Sequence, residues 1–224
     1  EKMERFRRSI TLIGEEAQGR LMDSKVIIFG VGGVGSYAAE AIGRSGVGNI
    51  TLIDGDEVCE SNINRQLVAL CSTVGRKKAE VAAERIRDIN PDAEVTAICE
   101  FYKPGSELDL SGYDFVVDAI DDVDAKVALI KECLRVGVPV VSSMGAAGKF
   151  GTDFMVADLA DTMTCPLAKV MRKRLKQEGI EHLPVVFSKE KPMKPEGELG
   201  TMSYVPGSCG LVLGGYVIRQ LAGL

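Results

Sequence analysis

The sequence lacks any C-x-x-C pair. Its six cysteines, Cys59, Cys71, Cys99, Cys133, Cys165 and Cys209, are scattered, the nearest two twelve positions apart. That spacing argues against a four-cysteine structural zinc, so no zinc is expected. In a reducing compartment most such cysteines read as small apolar fillers. Nor does any apolar run approach the length of a membrane span, and no secretory leader is expected ahead of the first strand. A cytoplasmic protein with no membrane partner is therefore expected. Basic residues are not in excess: 27 lysines and arginines against 32 acids leave a net charge of −5. This balance argues against indiscriminate nucleic-acid binding but leaves room for a local basic patch. No linker rich in proline or serine occurs before residue 188, so the 224 residues count as one domain.

Lys25 to Gln66 holds the most informative pattern. Val26-Ile27-Ile28-Phe29 is a short apolar, β-rich run that reads as a buried parallel strand. Gly30-Val31-Gly32-Gly33-Val34-Gly35 follows at once, and residues 36–45 read as a helix. Gly30, Gly32 and Gly35 fit G-x-G-x-x-G, with Gly33 between them. Glycines there allow a tight turn and let phosphates approach the free N–H groups of a helix N-terminus. Asn49 to Ile53 is a second strand closed by Asp54, whose carboxylate is placed to accept hydrogen bonds from ribose hydroxyls. Nicotinamide and flavin enzymes use the same arrangement, so an oxidoreductase remains an alternative. The next residues add Asp56, then Ser61-Asn62-Ile63-Asn64-Arg65-Gln66. Hydride transfer has no evident need for that second acid, amide and arginine. Holding a triphosphate and neutralising pyrophosphate does.

On the Asp-x-Asp and Ser-Asn-x-x-Arg-Gln pieces, the chain resembles the superfamily of ubiquitin-activating enzymes and their bacterial relatives MoeB and ThiF. The resemblance runs from about residue 5 to 143 and implies ATP-dependent adenylation. It implies an α/β fold: a Rossmann-like, mostly parallel sheet with helices on both faces, continued by antiparallel strands and C-terminal helices. A nucleotide-binding half (about 1–143) would precede a substrate-binding half (about 144–224). Asp54, Asp56, Asn62, Arg65 and Gln66 would bind nucleotide beside the glycines. Arg8 by type is a solvated helix end. By the resemblance it reaches a partner subunit's ATP site and stabilises departing pyrophosphate, which implies a homodimer. Val74 to Asn90 reads as a helix, and Lys78 within it is either solvated or, by the resemblance, a phosphate contact. Tyr113 to Ile120 is a strand ending in Asp118-Ala119-Ile120-Asp121-Asp122. Asp121 matches the family's magnesium carboxylate, while Asp122 or Asp124 suits the cap of a helix over 125–136.

In the C-terminal third, residues 150–158 are expected as antiparallel strands and Pro166 to Gln177 as a helix. Leu167, Val170, Met171 and Leu175 share one face of that helix; Lys169, Arg172, Lys173 and Lys176 share the other. Such a stripe is either a solvated face or a contact for an RNA backbone. Arg174 falls on the apolar side, so it snorkels or has a buried partner. Ser188 to Gly200 reads as a loop near the site, and a last apolar helix spans residues 211–221. Cys209, placed at the start of that helix, is either a buried structural residue or a nucleophile with a lowered pKa. The Arg-Phe-x-Arg opening, the Asp-Ala-Ile-Asp segment and Cys-Pro-Leu-Ala-x-x-x-Arg-x-x-Leu-Lys are similar to the tRNA threonylcarbamoyladenosine dehydratases. That resemblance implies ATP, Mg²⁺ and a tRNA substrate, with catalysis by Arg8, Arg65, Lys78 and Asp121. It leaves open a monovalent cation and a cysteine desulfurase or sulfur-acceptor system acting beside it. The rival within the superfamily is adenylation of the C-terminal glycine of a ubiquitin-like sulfur carrier.

Overall fold

Unbroken apolar runs form the centre of the structure, a computed structural model that describes residues 3–193 and 196–224. Strands β1 (Lys25–Phe29) and β4 (Phe115–Asp118) are buried along almost their whole length, as strands covered on both faces must be. Around them lie β2 (Asn49–Ile53), β3 (Glu94–Ile98), β5 (Val140–Ser143), β6 (Phe154–Asp158) and β7 (Pro184–Ser188). The seven strands are ordered β3-β2-β1-β4-β5-β7-β6. All neighbouring pairs are parallel except β6 with β7. The chain runs outward from β1 to β3, then returns to lay β4 on the other side of β1. That reversal opens a crevice beyond the carboxyl ends of the two central strands.

Alternate side chains of each strand enter two cores. Val26 and Ile28 face one, with Ala38 and Ile42 of α3 (Gly35–Arg44) and Ala83 and Ile86 of α4 (Lys78–Ile89). Leu213 and Val217 of α7 (Tyr204–Ala222) complete it, beside Ala17 and Leu21 of α2 (Glu15–Asp23). Ile27 and Phe29 face the other core. It holds Leu129 and Ile130 of α5 (Val123–Val136) and Met171 and Leu175 of α6 (Pro166–Gln177). A short α1 (Arg7–Ile13) precedes them all. The expected fold class is thus present, with helices on both faces. Among the described residues no helix is long and apolar enough to cross a membrane.

Local departures have local causes. The helix expected from Val74 starts only at Lys78. Gly75 turns with φ +86°, and Val58 exchanges backbone hydrogen bonds with Arg76 and Gly75 instead. Residues 150–158 yield one strand, β6, and its partner β7 was not among the expected elements. The last helix starts at Tyr204, seven residues early, because Pro206 falls in its first turn, where a missing N–H is harmless. Of the expected loop at 188–200, residues 194 and 195 lie outside the described residues.

Candidate active site

The glycines divide into two kinds. Gly30 turns the chain with φ +89°, and a Cβ on it would stand 2.5 Å from the Ala119 carbonyl oxygen. A Cβ on Gly35 would fall 1.7 Å from the Gly30 oxygen. Those two let backbone meet backbone. Gly32 is different: its nearest neighbour would be the Gln66 amide at 3.6 Å, and it lines an open cleft with Gly30 and Gly33. The cleft, about 1080 Å³, lies at the carboxyl ends of β1, β2, β4 and β5. That is at the upper end of ordinary ligand pockets, roughly 300–1,000 Å³, so it can hold a nucleotide and a second group.

Asp54 stands at the end of β2 and organises the turn. Its Oδ2 accepts the Val31 N–H at 2.9 Å and its Oδ1 the Asp56 N–H at 2.8 Å. Burial pushes its carboxyl up, against the pull of those two donors. Each oxygen keeps a lone pair for a further donor. Beside it, Lys78 is nearly enclosed, with 7% of its side chain exposed, and its Nζ lies 3.6 Å from Asp56 Oδ2. Arg65 donates to the Ser61 carbonyl at 2.9 Å and to Asn64 Oδ1 at 3.1 Å, and it has no carboxylate partner among the described residues. Gln66 Oε1 is buried without a hydrogen-bond partner. Across the cleft Asp121 is exposed and free of protein hydrogen bonds among the described residues. Two cations, one unsatisfied amide and one free carboxylate therefore converge where the glycine turn opens.

Comparison with known proteins is consistent with this arrangement. The ThiF family profile matches residues 6–224. The chain belongs to the ThiF family. Within it, the tRNA threonylcarbamoyladenosine dehydratase of Bacillus subtilis (strain 168) is 42% identical, with 98% of this chain and 95% of that protein covered. The dehydratase of Escherichia coli (strain K12) is 44% identical over 87% of this chain and 77% of that protein. The crystal structure of the E. coli dehydratase TcdA in complex with AMP has a TM-score of 0.91 at 40% identity, covering 99% of this chain and 95% of that one. Its complex with ATP gives the same figures.

In this ThiF-family chain most expected site residues meet at the cleft: Gly30, Gly32, Gly33, Asp54, Asp56, Arg65, Gln66, Lys78 and Asp121. Two expectations within the motif are corrected. Gly35 packs under the turn rather than lining it. Asn62 points into its own loop, where Oδ1 accepts the Cys59 N–H at 2.9 Å, and Asn64 lines the cleft instead. Cys209 is also corrected as a nucleophile. It lies in the second turn of α7, fully buried, with its thiol pushed up to about 12 by burial. The basic stripe of α6 is reduced as well. Arg172 is half-buried and donates to the carbonyl and hydroxyl oxygens of Thr162, while Lys169 and Lys173 remain exposed and unpaired among the described residues. Lys176 is exposed, 3.9 Å from Glu181, and Arg174 pairs with Asp124 at 2.7 Å. Asp122, not Asp124, caps α5, accepting the Ala125 N–H at 2.8 Å. Arg8 is exposed on α1, away from the cleft of its own chain.

The structure adds residues that sequence reasoning missed. Phe101 lies over Gly55, where a Cβ would stand 2.4 Å from its ring, and Tyr102 packs edge-on against Phe29 at 5.2 Å. Both follow the carboxyl end of β3 and line the cleft, and aromatics just beyond a parallel strand were the available signal. Lys149 also lines it, almost enclosed; its Nζ donates to the Ser188 carbonyl at 3.3 Å, and burial lowers its pKa. Nothing in a glycine-rich loop marks such a lysine in advance.

Proposed function

We propose that this chain is an ATP-dependent tRNA threonylcarbamoyladenosine dehydratase. It adenylates the threonyl carboxylate of threonylcarbamoyladenosine in tRNA, and a nucleophile within the same modification then closes a ring and expels AMP. The observation that carries this reading is the continuity of the cleft. It joins the phosphate turn, Asp54, Arg65, Lys78 and Asp121 to a second space between β5 and α6, lined by Ser143, Gly145 and Leu167. The Bacillus subtilis relative and the E. coli TcdA structure described above align with 98% and 99% of this chain, which supports the reading.

The residues have distinct tasks. Backbone N–H groups at Gly32 and Gly33 and the first turn of α3 receive the phosphates. Asp54 takes ribose hydroxyls with its remaining lone pairs. Arg65 and Lys78 neutralise the charge that moves onto pyrophosphate as the carboxylate oxygen attacks the α-phosphorus. Asp56 holds the Lys78 ammonium at 3.6 Å until phosphate replaces it. Arg8 supplies one more guanidinium, from a second copy of the chain, so the working form is a homodimer. Among the described residues no cluster of three acidic, histidine or cysteine ligands could hold a metal. Asp121, exposed at the cleft and free of protein hydrogen bonds among the described residues, would hold a hard cation that takes its other ligands from phosphates and water. Mg²⁺ bound in this way would neutralise phosphate charge. In the second step the acyl carbon is attacked, AMP leaves with the bonding electrons, and an N–H proton of the modification is released. The sum is loss of water, driven by ATP. Lys169 and Lys173 on α6 are the cations placed to meet the tRNA backbone, and a cytoplasmic location fits a tRNA substrate.

The test is AMP release from ATP and Mg²⁺ with tRNA carrying threonylcarbamoyladenosine, beside tRNA lacking it. AMP is expected only with the modified tRNA, and Asp121→Ala abolishes it. AMP release that ignores the modification, or none with either tRNA, rejects this substrate and points to the carboxylate of a small carrier protein.

A further inference from the structure

Directly beneath the cleft is a buried ion pair that the proposed chemistry does not use. Asp118, the last residue of β4, and Lys126, in the first turn of α5, are both fully buried, with Nζ 3.0 Å from Oδ2. Ser142 of β5 donates to the same Oδ2 at 2.7 Å. Among the described residues, the other side-chain hydrogen bonds of the pair go to one residue. Asp118 Oδ1 accepts the Ile120 N–H at 3.0 Å, and Lys126 Nζ donates to the Ile120 carbonyl at 3.0 Å. Ile120 is thus gripped at both its N–H and its C=O, and the next residue is Asp121.

Stability alone is a poor reason to keep such a pair, because two charges must be stripped of water, and well-packed apolar residues often serve as well or better. An apolar pair, however, has neither a donor nor an acceptor to offer the backbone. The Asp121 carboxylate makes no hydrogen bond of its own among the described residues, so its neighbours alone set its position. Those neighbours are held on both sides: Ile120 by the pair, and Asp122 by its bond to the Ala125 N–H at 2.8 Å. The segment is also tied to the phosphate turn, since the Ala119 N–H donates to the Phe29 carbonyl at 2.8 Å.

We infer that Lys126, together with Asp118, is a positioning residue that fixes the Asp121 carboxylate relative to the phosphate turn by clamping the Ile120 backbone. The inference rests on the proposed role of Asp121 toward a nucleotide-bound cation. A cation held by one protein ligand depends on where that ligand stands, so loosening the clamp weakens the cation without removing the ligand.

The test uses Asp118→Asn/Lys126→Met, which keeps an acceptor for the Ile120 N–H, leaves no unpaired buried charge and removes the donor to the Ile120 carbonyl. Calorimetry with a non-hydrolysable ATP analogue, in EDTA and in Mg²⁺, reads the effect without turnover. Affinity in EDTA is expected to stay within about twofold, and the Mg²⁺-dependent gain to fall about tenfold, equal to about 1.4 kcal/mol. Pyrophosphate release should then need about tenfold more Mg²⁺. A folded variant with a wild-type Mg²⁺-dependent gain overturns the inference. If the Met variant does not fold, Asp118→Asn/Lys126→Gln decides: its shorter donor should give a smaller loss, and no loss at all overturns the inference. A wild-type protein that gains nothing from Mg²⁺ rejects the role of Asp121 itself. Failure to turn over modified tRNA with Mg²⁺-linked nucleotide binding intact rejects only the substrate.

Discussion

Three glycines in α7 give a graded test of how closely that helix must pack on α3. A Cβ built at Gly210 would fall 2.2 Å from the Val34 carbonyl oxygen and 2.9 Å from Tyr37 Cβ. At Gly214 the nearest atoms would be the Ala38 oxygen and Ala41 Cβ, both at 3.0 Å, and at Gly215 nothing lies within 4 Å. Real Cβ contacts do not fall below 3.0 Å, so Gly210→Ala forces at least the 0.8 Å between 2.2 and 3.0 Å upon two helices. Overpacking of that kind costs about 1–3 kcal/mol. Gly214→Ala needs only slight relaxation and should cost about 1 kcal/mol or less. Gly215→Ala gains helix propensity and should stabilise by about 0.4–1 kcal/mol. Urea denaturation, read as midpoint shifts at constant slope, gives the order directly. Val34 precedes α3 at the phosphate turn, so Gly210→Ala should also weaken ATP binding, and Gly215→Ala should not. Equal stability of the Gly210 and Gly215 variants would refute the claim that the two helix backbones touch at this point.

The other expectations are separate. Mixing Arg8→Ala with Asp121→Ala, each inactive alone, should restore about a quarter of wild-type sites if Arg8 acts across a dimer. No recovery after subunit exchange, in a protein shown to be dimeric, sinks that role. Replacing Lys169 and Lys173 together with glutamine should lower the salt slope of tRNA binding by about two, with kcat at saturating tRNA retained. An unchanged slope places the tRNA elsewhere. Glu40 on α3 accepts Arg85 of α4 at 2.7 Å and Arg44 at 2.6 Å. Burial pushes its carboxyl up, but the two arginines outweigh burial and hold it below 4.5. Its contribution is therefore complete above 4.5 and is lost as pH falls through the lowered value. Glu40→Gln should cost about 1 kcal/mol at neutral pH, since both arginines stay partly exposed. The two stability curves should converge in acid; a constant gap down to the acid transition contradicts the assignment.

Legibility in the sequence followed the kind of constraint at work. Where the backbone itself demanded a residue type, reading was sound: Gly30 and Gly35 must lack a Cβ, and the strand Asn49–Ile53 falls within the expected bounds. Side-chain direction in irregular segments was not readable. Asn62 and Asn64 are two positions apart, and a turn hydrogen bond to Cys59, invisible in composition, decides which one faces the cleft. Arg172 looked like one of four equal cations, yet Thr162, ten residues away and outside the helix, turns it inward. Lys126 carries no mark of burial in the sequence, because its partners, Asp118 and Ile120, lie outside its helix at the end of β4. Strand β7 escaped because its place in the sheet depends on β5 and β6, which the local sequence does not encode.

That place has a consequence for synthesis. β7 is inserted between β5 and β6, so β6, although made earlier, has no strand to pair with until residues 184–188 exist. A nascent chain that has just exposed β6 carries an orphan strand with unpaired N–H and C=O groups, the condition that invites contacts with other chains. The segment that follows β7 supplies Leu199, Thr201 and Pro206 to the wall of the cleft. Docking of the last strand and completion of the catalytic chamber therefore fall together, late on the ribosome. A stalled or truncated product should be vulnerable to proteases and inert toward ATP.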